Sequence, residues 1–213
     1  MLPSAAFLET YAAVRPVEGV PGVFAHQAGD VVALWQAWEE ASGRIQPPPF
    51  WAVVWPAAAV LARCVLDGTI PVAARRVLEI GCGGAVAAIA AALCGAVEVE
   101  ANDVDETALH VAVLNGAASG VVIRTTAADY TAGRLPAADV VLVADLFYER
   151  GPSERLLARL QDARAAGSEV YVGDGGRPFA PMSAGLRIRE ETVVVDAALE
   201  GVASRTVRVI RLA

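Results

Sequence analysis

The chain has 213 residues, of which 55% are hydrophobic and 19% are charged, and its net charge is −7 at pH 7. This composition excludes a disordered chain and is typical of one well-cored domain. The acidic balance offers no basic surface for the phosphates of duplex nucleic acid, so the expected partner is a basic protein or a small molecule. Three cysteines without a C-x-x-C pair and two distant histidines predict neither a disulfide framework nor a metal site.

The N-terminus and the first fifty residues predict a cytoplasmic protein with a capping segment. No basic region precedes the first apolar stretch, and Glu9 interrupts that stretch, so a signal peptide is not expected. Helical stretches at 4–14 and 30–43 flank a Gly/Pro-rich segment, and the breaker Pro47–Pro49 follows them. We therefore expect a cap at 1–50 and one compact domain at 51–213.

Residues 77–97 predict a strand, a tight loop and a helix. Ile80 to Val97 carries no charge across roughly the minimum length of a membrane-spanning helix. Glycines at 81, 83 and 84 nevertheless cluster after the apolar "VLEI", and an alanine-rich stretch then runs to Gly95, a common helix C-terminal signal. The glycine cluster indicates a loop inside this stretch, so no membrane segment is expected.

Strands and helices alternate from there to the C-terminus. Further strands are predicted at 97–103, 120–126, 138–148 and 168–174, and helices at 56 onward, 105–119 and 153–167. The last two strands, 186–196 and 204–213, are separated only by the turn "AALEG" and predict an antiparallel hairpin. The expected fold class is α/β, a Rossmann-like, doubly wound, seven-stranded mixed sheet with a C-terminal antiparallel hairpin and an N-terminal cap.

The glycine loop lies where a doubly wound sheet places its ligands, beyond the carboxyl end of a strand. A dinucleotide fingerprint, G-x-G-x-x-G, fails because Val86 occupies its last position. A methyltransferase loop has an acidic residue two positions before the first glycine of G-x-G. Glu79, Gly81 and Gly83 supply that pattern and are candidate cofactor-binding residues.

Two downstream carboxylates are further cofactor-binding candidates. Asp103 ends the second strand about 20 residues after the glycines, where it can accept hydrogen bonds from ribose hydroxyls. Its alternative role is a helix N-cap, for which Asp105 is better placed. Asp129 follows the third strand, where it can contact an adenine amino group or form a surface turn.

Five segments carry a family resemblance. They are "PPPFWAVVWPAAAVLARCVLDG" (47–68), "VLEIGCGG" (77–84), "ANDVD" (101–105), "ADLFYE" (144–149) and "VGDGGRP" (172–178). Together they resemble the class I methyltransferases, which use S-adenosylmethionine (SAM), and most of all the electron transfer flavoprotein β-subunit lysine methyltransferases and their bacterial relatives. The resemblance implies SAM as cofactor, S-adenosylhomocysteine as product and the strand order 3-2-1-4-5-7-6. Ala85 replaces the third glycine of the family loop, and Gly175 stands where proline is usual.

The resemblance also assigns candidate catalytic residues. Asp145 and Tyr148 match the family's D-x-x-Y pattern, and Tyr148 and Phe147 would wall the channel of the acceptor lysine. Methyl transfer requires a neutral amine, whereas a carboxylate of ordinary pKa about 3.9 is a weak base. We therefore expect Asp145 to capture and orient the amine, and water to take the proton.

Four more residues complete the predicted site. Trp55 would form a wall of the cofactor pocket, and Trp51 would lie over the substrate mouth unless it is an ordinary core aromatic. Asp174 and Arg177 would shape a substrate loop, or form a plain turn with a solvated arginine.

The function expected from these residues is methyl transfer from SAM to a protein lysine, with the electron transfer flavoprotein β-subunit as the implied partner. Two alternatives stay open. One is methylation of a small amine or heterocycle such as nicotinamide, and the other is a non-catalytic, SAM-binding interaction module, which only Ala85 favours. No nucleic acid, membrane or metal is an expected partner.

Overall fold

The computed structural model describes residues 2–213, with all their side chains except that of Ala198. The strands are β1 (Val14–Pro16), β2 (Phe24–His26), β3 (Arg76–Ile80), β4 (Glu98–Asn102), β5 (Arg124–Thr126), β6 (Val140–Ala144), β7 (Glu169–Asp174), β8 (Gly185–Val194) and β9 (Ser204–Leu212). The α-helices are α1 (Ala5–Tyr11), α2 (Val31–Ser42), α3 (Pro56–Leu66), α4 (Val86–Leu93), α5 (Glu106–Ala118), α6 (Arg150–Ala165) and α7 (Ala197–Glu200).

Strands β3 to β9 form one mixed sheet in the order β5-β4-β3-β6-β7-β9-β8. The first five of these pair in parallel, whereas β9 is antiparallel to both β7 and β8. Counted from β3, the order is 3-2-1-4-5-7-6, which confirms the predicted fold class and topology. From the central strand β3, the chain adds β4 and β5 on one side of the sheet and then β6 and β7 on the other side. The strand order therefore reverses between β3 and β6, and the loops after these two strands flank this topological switch point.

The two faces of the sheet are both buried by helices. Val77 and Val140 pack on one face with Leu61 of α3 and Ile89 of α4, whereas their chain neighbours Leu78 and Val141 pack on the other face with residues of α6. Successive strand residues point to opposite faces, so a central strand covered on both faces is continuously apolar. The run of apolar residues in β6 is explained in this way.

The N-terminal segment packs against α5. Leu8 of α1 and Leu34 of α2 share a cluster with Trp51 and with Ala108 and Val111 of α5. The Gly/Pro-rich stretch between the two helices forms the antiparallel ribbon β1–β2, which the sequence analysis did not predict. Strands of three residues are too short to show an alternating pattern.

Several element boundaries differ from the predicted ones; the strand predicted at 138–148, for example, ends at Ala144. The third sheet strand is shortened to β5, an edge strand that pairs with β4 alone. Helix α6 begins at Arg150, ahead of Pro152, because proline is tolerated in a first turn that has no partner for its N–H. The turn between the last two strands closes as the single-turn helix α7. Over the described range, no helix combines the length and apolar character that crossing a bilayer requires.

Candidate active site

The glycine loop follows β3 and touches the loop that follows β6. Gly81 and Gly83 have φ angles of 65° and 50°, in the left-handed region that glycine enters without strain. A Cβ atom at Gly81 would collide with the side chain of Leu146. Position 81 therefore needs glycine for two reasons, its backbone conformation and the close approach of the neighbouring loop.

Glu79 supports this loop from behind. Its side chain is fully buried, and Oε2 accepts a hydrogen bond of 2.8 Å from the backbone N–H of Ala88 in the first turn of α4. Burial raises the pKa of this carboxyl to about 8, and the charge of nearby Asp103 adds to the effect. Ala85, at the N-cap position, has no side-chain acceptor to offer, so Glu79 caps α4 in its place.

Asp103 connects the glycine loop to the end of β4. Its Oδ2 accepts a 2.9 Å hydrogen bond from Gly83 N–H, and its Oδ1 accepts a 3.0 Å hydrogen bond from Asp105 N–H. Burial raises the pKa of this carboxyl above its ordinary value. Each carboxylate oxygen can accept a second hydrogen bond, so the group keeps capacity for a ligand beside the loop. Asp105 is the N-cap of α5, as expected.

Asp145 follows β6 directly and has a φ angle of 52°. Its carboxylate is buried: Oδ1 accepts from Gly175 N–H at 3.1 Å, and Oδ2 accepts from Ala57 N–H in the first turn of α3 at 3.3 Å. The Nε of Arg177 lies 3.4 Å from Oδ1. Burial raises the pKa of Asp145, while Arg177 and the two N–H donors oppose that rise. Aspartate tolerates this left-handed conformation better than most residues, because its short side chain can hydrogen-bond locally.

Arg177 is presented by a turn that Asp174 closes. Asp174 is buried, and its Oδ1 accepts hydrogen bonds of 2.6 Å from the backbone N–H groups of Gly176 and Arg177. Burial raises the pKa of Asp174 to about 6. The guanidinium of Arg177 lies 5.4 Å from the ring centroid of Trp55, the N-cap residue of α3. The predicted loop and the predicted tryptophan wall therefore meet.

Tyr148 lies at the open side of this cluster, with 53% of its surface exposed. Partial burial raises the pKa of its phenol, and the charges of Glu149 and Asp103 add to that rise, whereas Arg177 opposes it. The phenol is thus within electrostatic range of the residues that follow β4, β6 and β7. This position suits the predicted contact with an acceptor.

A cavity of about 800 Å³ lies beside the amino ends of β3 and β6, at the opposite end of the strands from the glycine loop. Its walls include the ion pairs Arg76–Asp139 and Arg159–Asp162, which neutralise much of their own charge. Doubly wound sheets bind ligands at the carboxyl ends of their strands. We therefore place the candidate site at the carboxyl ends, where the loops after β3, β4, β6 and β7 converge.

Known proteins that resemble this chain in sequence or in structure include methyltransferases. The family model of ribosomal protein L11 methyltransferase (PrmA) matches residues 62–147. Electron transfer flavoprotein beta subunit lysine methyltransferase of Danio rerio is 35% identical over 133 residues, which cover 62% of this chain and 52% of the relative. The ribosomal protein L11 methylase of Lactobacillus delbrueckii has a TM-score of 0.53 at 16% identity, over 76% of this chain and 81% of that chain.

The chain has a class I methyltransferase fold. A 16S rRNA methyltransferase of Thermus thermophilus, solved with AdoMet and guanosine, matches it with a TM-score of 0.52 at 17% identity, over 76% of this chain and 44% of that one. The resemblance stated from the five segments is thereby confirmed. The chain spans about half the length of the curated lysine methyltransferase from Danio rerio that it matches.

The site fits the cofactor of this methyltransferase fold. A Cβ on Gly83 would be in ordinary van der Waals contact with Trp51 Cα, at 3.9 Å, whereas a Cβ on Gly84 would crowd Trp51 O at 3.3 Å. Asp103 lies against the same loop, with acceptor capacity for hydroxyl donors. The backbone of residues 81–84 and the Asp103 carboxylate are therefore the groups that would hold SAM.

Several predicted contacts need correction. Phe147 was predicted to wall the channel of the acceptor lysine, but it is fully buried in the core beside α6, so that prediction is wrong. Trp51 has the core-aromatic role that the sequence left open: it is fully buried and packs edge-on against Trp38. Glu79 is likewise too buried for direct contact with the cofactor and acts by holding the loop.

Asp129 has the surface-turn role that the sequence left open. It is exposed, and its Oδ1 accepts hydrogen bonds from the backbone N–H of Thr131 at 2.9 Å and from the Thr131 hydroxyl at 2.7 Å. These hydrogen bonds lower the pKa of Asp129. A contact with adenine stays a prediction for this residue.

The sequence analysis missed Glu200 and Leu146. Glu200 Oε1 lies 3.5 Å from Arg177 Nη2, and Glu200 Oε2 accepts a 2.9 Å hydrogen bond from Arg205 Nε. Glu200 belongs to the connection between β8 and β9, so only the placement of the C-terminal hairpin brings it to the site. The sequence around Glu200 reads as a short turn and does not predict that its side chain reaches Arg177.

We predict that Ala85→Gly leaves the binding of S-adenosylhomocysteine intact. Ala85 has a φ angle of 60°, so the loop already follows the backbone path of the family's third glycine. Relief of left-handed strain offsets the loss of one buried methyl group, and the free energy of unfolding should change by less than about 1 kcal/mol. Calorimetric titration measures the affinity, and a large loss would show that this loop has its own geometry.

We predict a pH-dependent stability difference between the wild type and Glu79→Gln. The raised pKa of about 8 means that the folded chain favours the protonated carboxyl. The resulting stabilisation is fully present below the unfolded pKa near 4.5 and is lost as the pH rises through about 8. Between pH 6 and 9 the wild type should lose roughly 3 kcal/mol of unfolding free energy relative to Glu79→Gln, whose amide can still accept from Ala88 N–H. Urea unfolding at both pH values measures this, and parallel pH profiles would contradict a buried, titrating Glu79.

Proposed function

We propose that the chain is a SAM-dependent methyltransferase that modifies a lysine side chain of a protein. The observation that carries this proposal is the contact between Gly81 and Leu146. It joins the loop suited to the cofactor, beside Asp103, to the loop that bears Asp145 and Tyr148. Bound SAM supplies an electrophilic methyl group, and the second loop offers an aromatic and a carboxylate to an incoming amine.

The residues of the second loop favour orientation of the amine rather than its deprotonation. Lysine must lose a proton before it attacks, which costs about 4.6 kcal/mol at pH 7 because its pKa is near 10.4. Asp145 is fixed by Ala57 N–H, Gly175 N–H and Arg177, so its carboxylate is a rigid acceptor with its charge partly balanced. We assign Asp145 to positioning the amine in line with the methyl group and water to accepting the proton.

We further propose the electron transfer flavoprotein β-subunit as the acceptor protein. The support is the name of the relatives, one of which aligns with 62% of this chain, together with the net charge of −7. An acidic enzyme is steered towards a basic patch, and a lysine-bearing surface can supply one. The methylation rate should therefore fall as salt screens the encounter, over a Debye length of about 10 Å at 0.1 M ionic strength.

The test uses labelled SAM and purified acceptors from the same organism. The β-subunit, ribosomal protein L11 and nicotinamide are incubated separately with the enzyme, and peptide mass mapping locates any methyl group. We expect methyllysine on the β-subunit and a slower rate at high salt. Methylation of L11 or nicotinamide alone would overturn the acceptor and leave the methyltransferase. Stabilisation by S-adenosylhomocysteine without transfer to any protein in a cell lysate would instead indicate a non-catalytic module.

A further inference from the structure

The guanidinium of Arg177 lies in a cage of one aromatic ring and two carboxylates. It stands 5.4 Å from the ring centroid of Trp55, while its Nε lies 3.4 Å from Asp145 Oδ1 and its Nη2 lies 3.5 Å from Glu200 Oε1. The Asp145 and Glu200 side chains are only 6% and 5% exposed. A ring face and buried carboxylates are the two features that stabilise a desolvated cation in proteins.

Arg177 balances the negative charges of Asp145 and Glu200, but its ion pairs with them are longer than good hydrogen bonds. Strong charge-assisted hydrogen bonds are about 2.7–2.9 Å long, and both ion-pair distances are longer. The Nε atom of Arg177 and the Oε1 atom of Glu200 are buried and have no hydrogen-bond partner among the described residues. A planar guanidinium is thus held here electrostatically, whereas a compact ammonium with three freely rotating donors could approach both carboxylates more closely.

We propose that the cage of Trp55, Asp145 and Glu200 is a binding site for a primary alkylammonium group, and that Arg177 is an internal occupant which the acceptor lysine displaces. This inference rests on the proposed function, because it identifies the end of a lysine side chain as the ligand. Exchange of one cation for another preserves the charge balance of a cluster that also contains Asp174 and Arg205.

Release of Arg177 requires its side chain to move, not its backbone. Asp174 Oδ1 holds the backbone N–H groups of Gly176 and Arg177 at 2.6 Å, so the turn can stay closed while the guanidinium leaves the cage. The side chain of Arg177 is itself 25% exposed, on the open side of the cage.

The test asks whether an added cation restores the stability of a variant that lacks the Arg177 side chain. Thermal unfolding of the cofactor-free protein is the measurement. Arg177→Gly removes the occupant and leaves the carboxylates without their partner, so Tm should fall. We expect n-butylammonium chloride at tens of millimolar to raise the Tm of this variant by roughly 3 °C relative to sodium chloride of equal ionic strength. The wild type, whose cage is filled, should show no such rise.

Arg150→Gly is the matched control. Arg150 also lies over an aromatic ring, 5.1 Å from the centroid of Phe179, but its side chain is 74% exposed and its carboxylate partner Glu154 is 69% exposed. Without buried carboxylates, n-butylammonium should leave the Tm of this variant unchanged. Equal rescue of both glycine variants, or rescue of neither, would overturn the proposed site.

A second pair of variants carries the test if Arg177→Gly does not fold. Arg177→Lys puts an ammonium in reach of the cage, whereas Arg177→Gln fills similar space without a charge. We expect the Tm of Arg177→Lys to lie well above that of Arg177→Gln, and equal values would contradict an ammonium site. These measurements involve no methyl transfer, so the cage can stand if the acceptor assays fail, and it can fail while those assays succeed.

Discussion

Asp145→Asn is expected to lower turnover by about a hundredfold or more, while the affinity for S-adenosylhomocysteine stays within a few-fold of the wild type. The carboxylate lies on the acceptor side of the Gly81–Leu146 contact, and the groups suited to the cofactor lie on the other side. Loss of the charge removes the group that orients the amine and leaves the glycine loop intact. The effect should therefore appear in the chemical step.

Asparagine is the appropriate replacement because it tolerates the left-handed backbone that Asp145 adopts, with a φ angle of 52°. Its amide has a single acceptor oxygen for the two N–H donors of Ala57 and Gly175, and Arg177 loses one of its two carboxylate partners. We expect a stability loss of about 1–3 kcal/mol, so unfolding curves must show that the variant is folded under the assay conditions.

Asp139→Asn is the control for this substitution. Asp139 precedes β6 as Asp145 follows it, and it too accepts a hydrogen bond from a backbone N–H, that of Arg76, and pairs with an arginine. It lies at the amino end of the strand, away from the candidate site. Its substitution should leave turnover near the wild-type value, and comparable losses in both variants would contradict the role assigned to Asp145.

The fold could be predicted from the sequence because each element carries a local signal that the tertiary structure does not override. The run of apolar residues in β6 indicates a strand covered on both faces, and the glycines after β3 mark the loop. The wrong strand bounds and the missed ribbon occur where the sequence pattern is weak or too short. Strand β5 has few cross-strand partners to define it, and β1–β2 is too short for any periodicity.

The sequence predicts which residues share the loops after the strands, but it does not predict the directions of their side chains. Gly81, Gly83, Asp103 and Asp145 follow directly from strand ends, and the structure brings their loops together. Phe147 lies only two residues after Asp145, yet it turns into the core beneath α6. A linear motif fixes which residues share a loop, whereas packing of the loop decides which of them face the ligand.

The ion pairs of Arg177 could not be predicted from the sequence for a different reason. Glu200 is 23 positions further along the chain and reaches Arg177 only because β9 inserts between β7 and β8. That insertion brings the connection between the last two strands to the carboxyl end of the sheet. Contacts of this kind depend on topology, and no local pattern encodes them.

Asp103→Ala is expected to weaken the binding of S-adenosylhomocysteine by a hundredfold or more, or roughly 3 kcal/mol, because two charge-assisted hydrogen bonds to ribose hydroxyls are lost. The same carboxylate accepts from Gly83 N–H, so its removal also frees the glycine loop. Asp103→Asn separates these contributions: its amide oxygen can still hold Gly83 N–H, and its affinity should lie between those of the wild type and Asp103→Ala.

Asp105→Ala provides the matched control for Asp103→Ala, two residues further along the same loop. The Asp105 side chain caps α5 by accepting a 2.8 Å hydrogen bond from Thr107 N–H, and its loss should cost about 1 kcal/mol of stability. The backbone N–H that Asp105 donates to Asp103 is unaffected by this change. Calorimetry should therefore show wild-type affinity for Asp105→Ala and a large loss for Asp103→Ala. An unchanged dissociation constant in a folded Asp103→Ala variant would remove Asp103 from the cofactor site, and with it the assignment of the adjoining glycine loop.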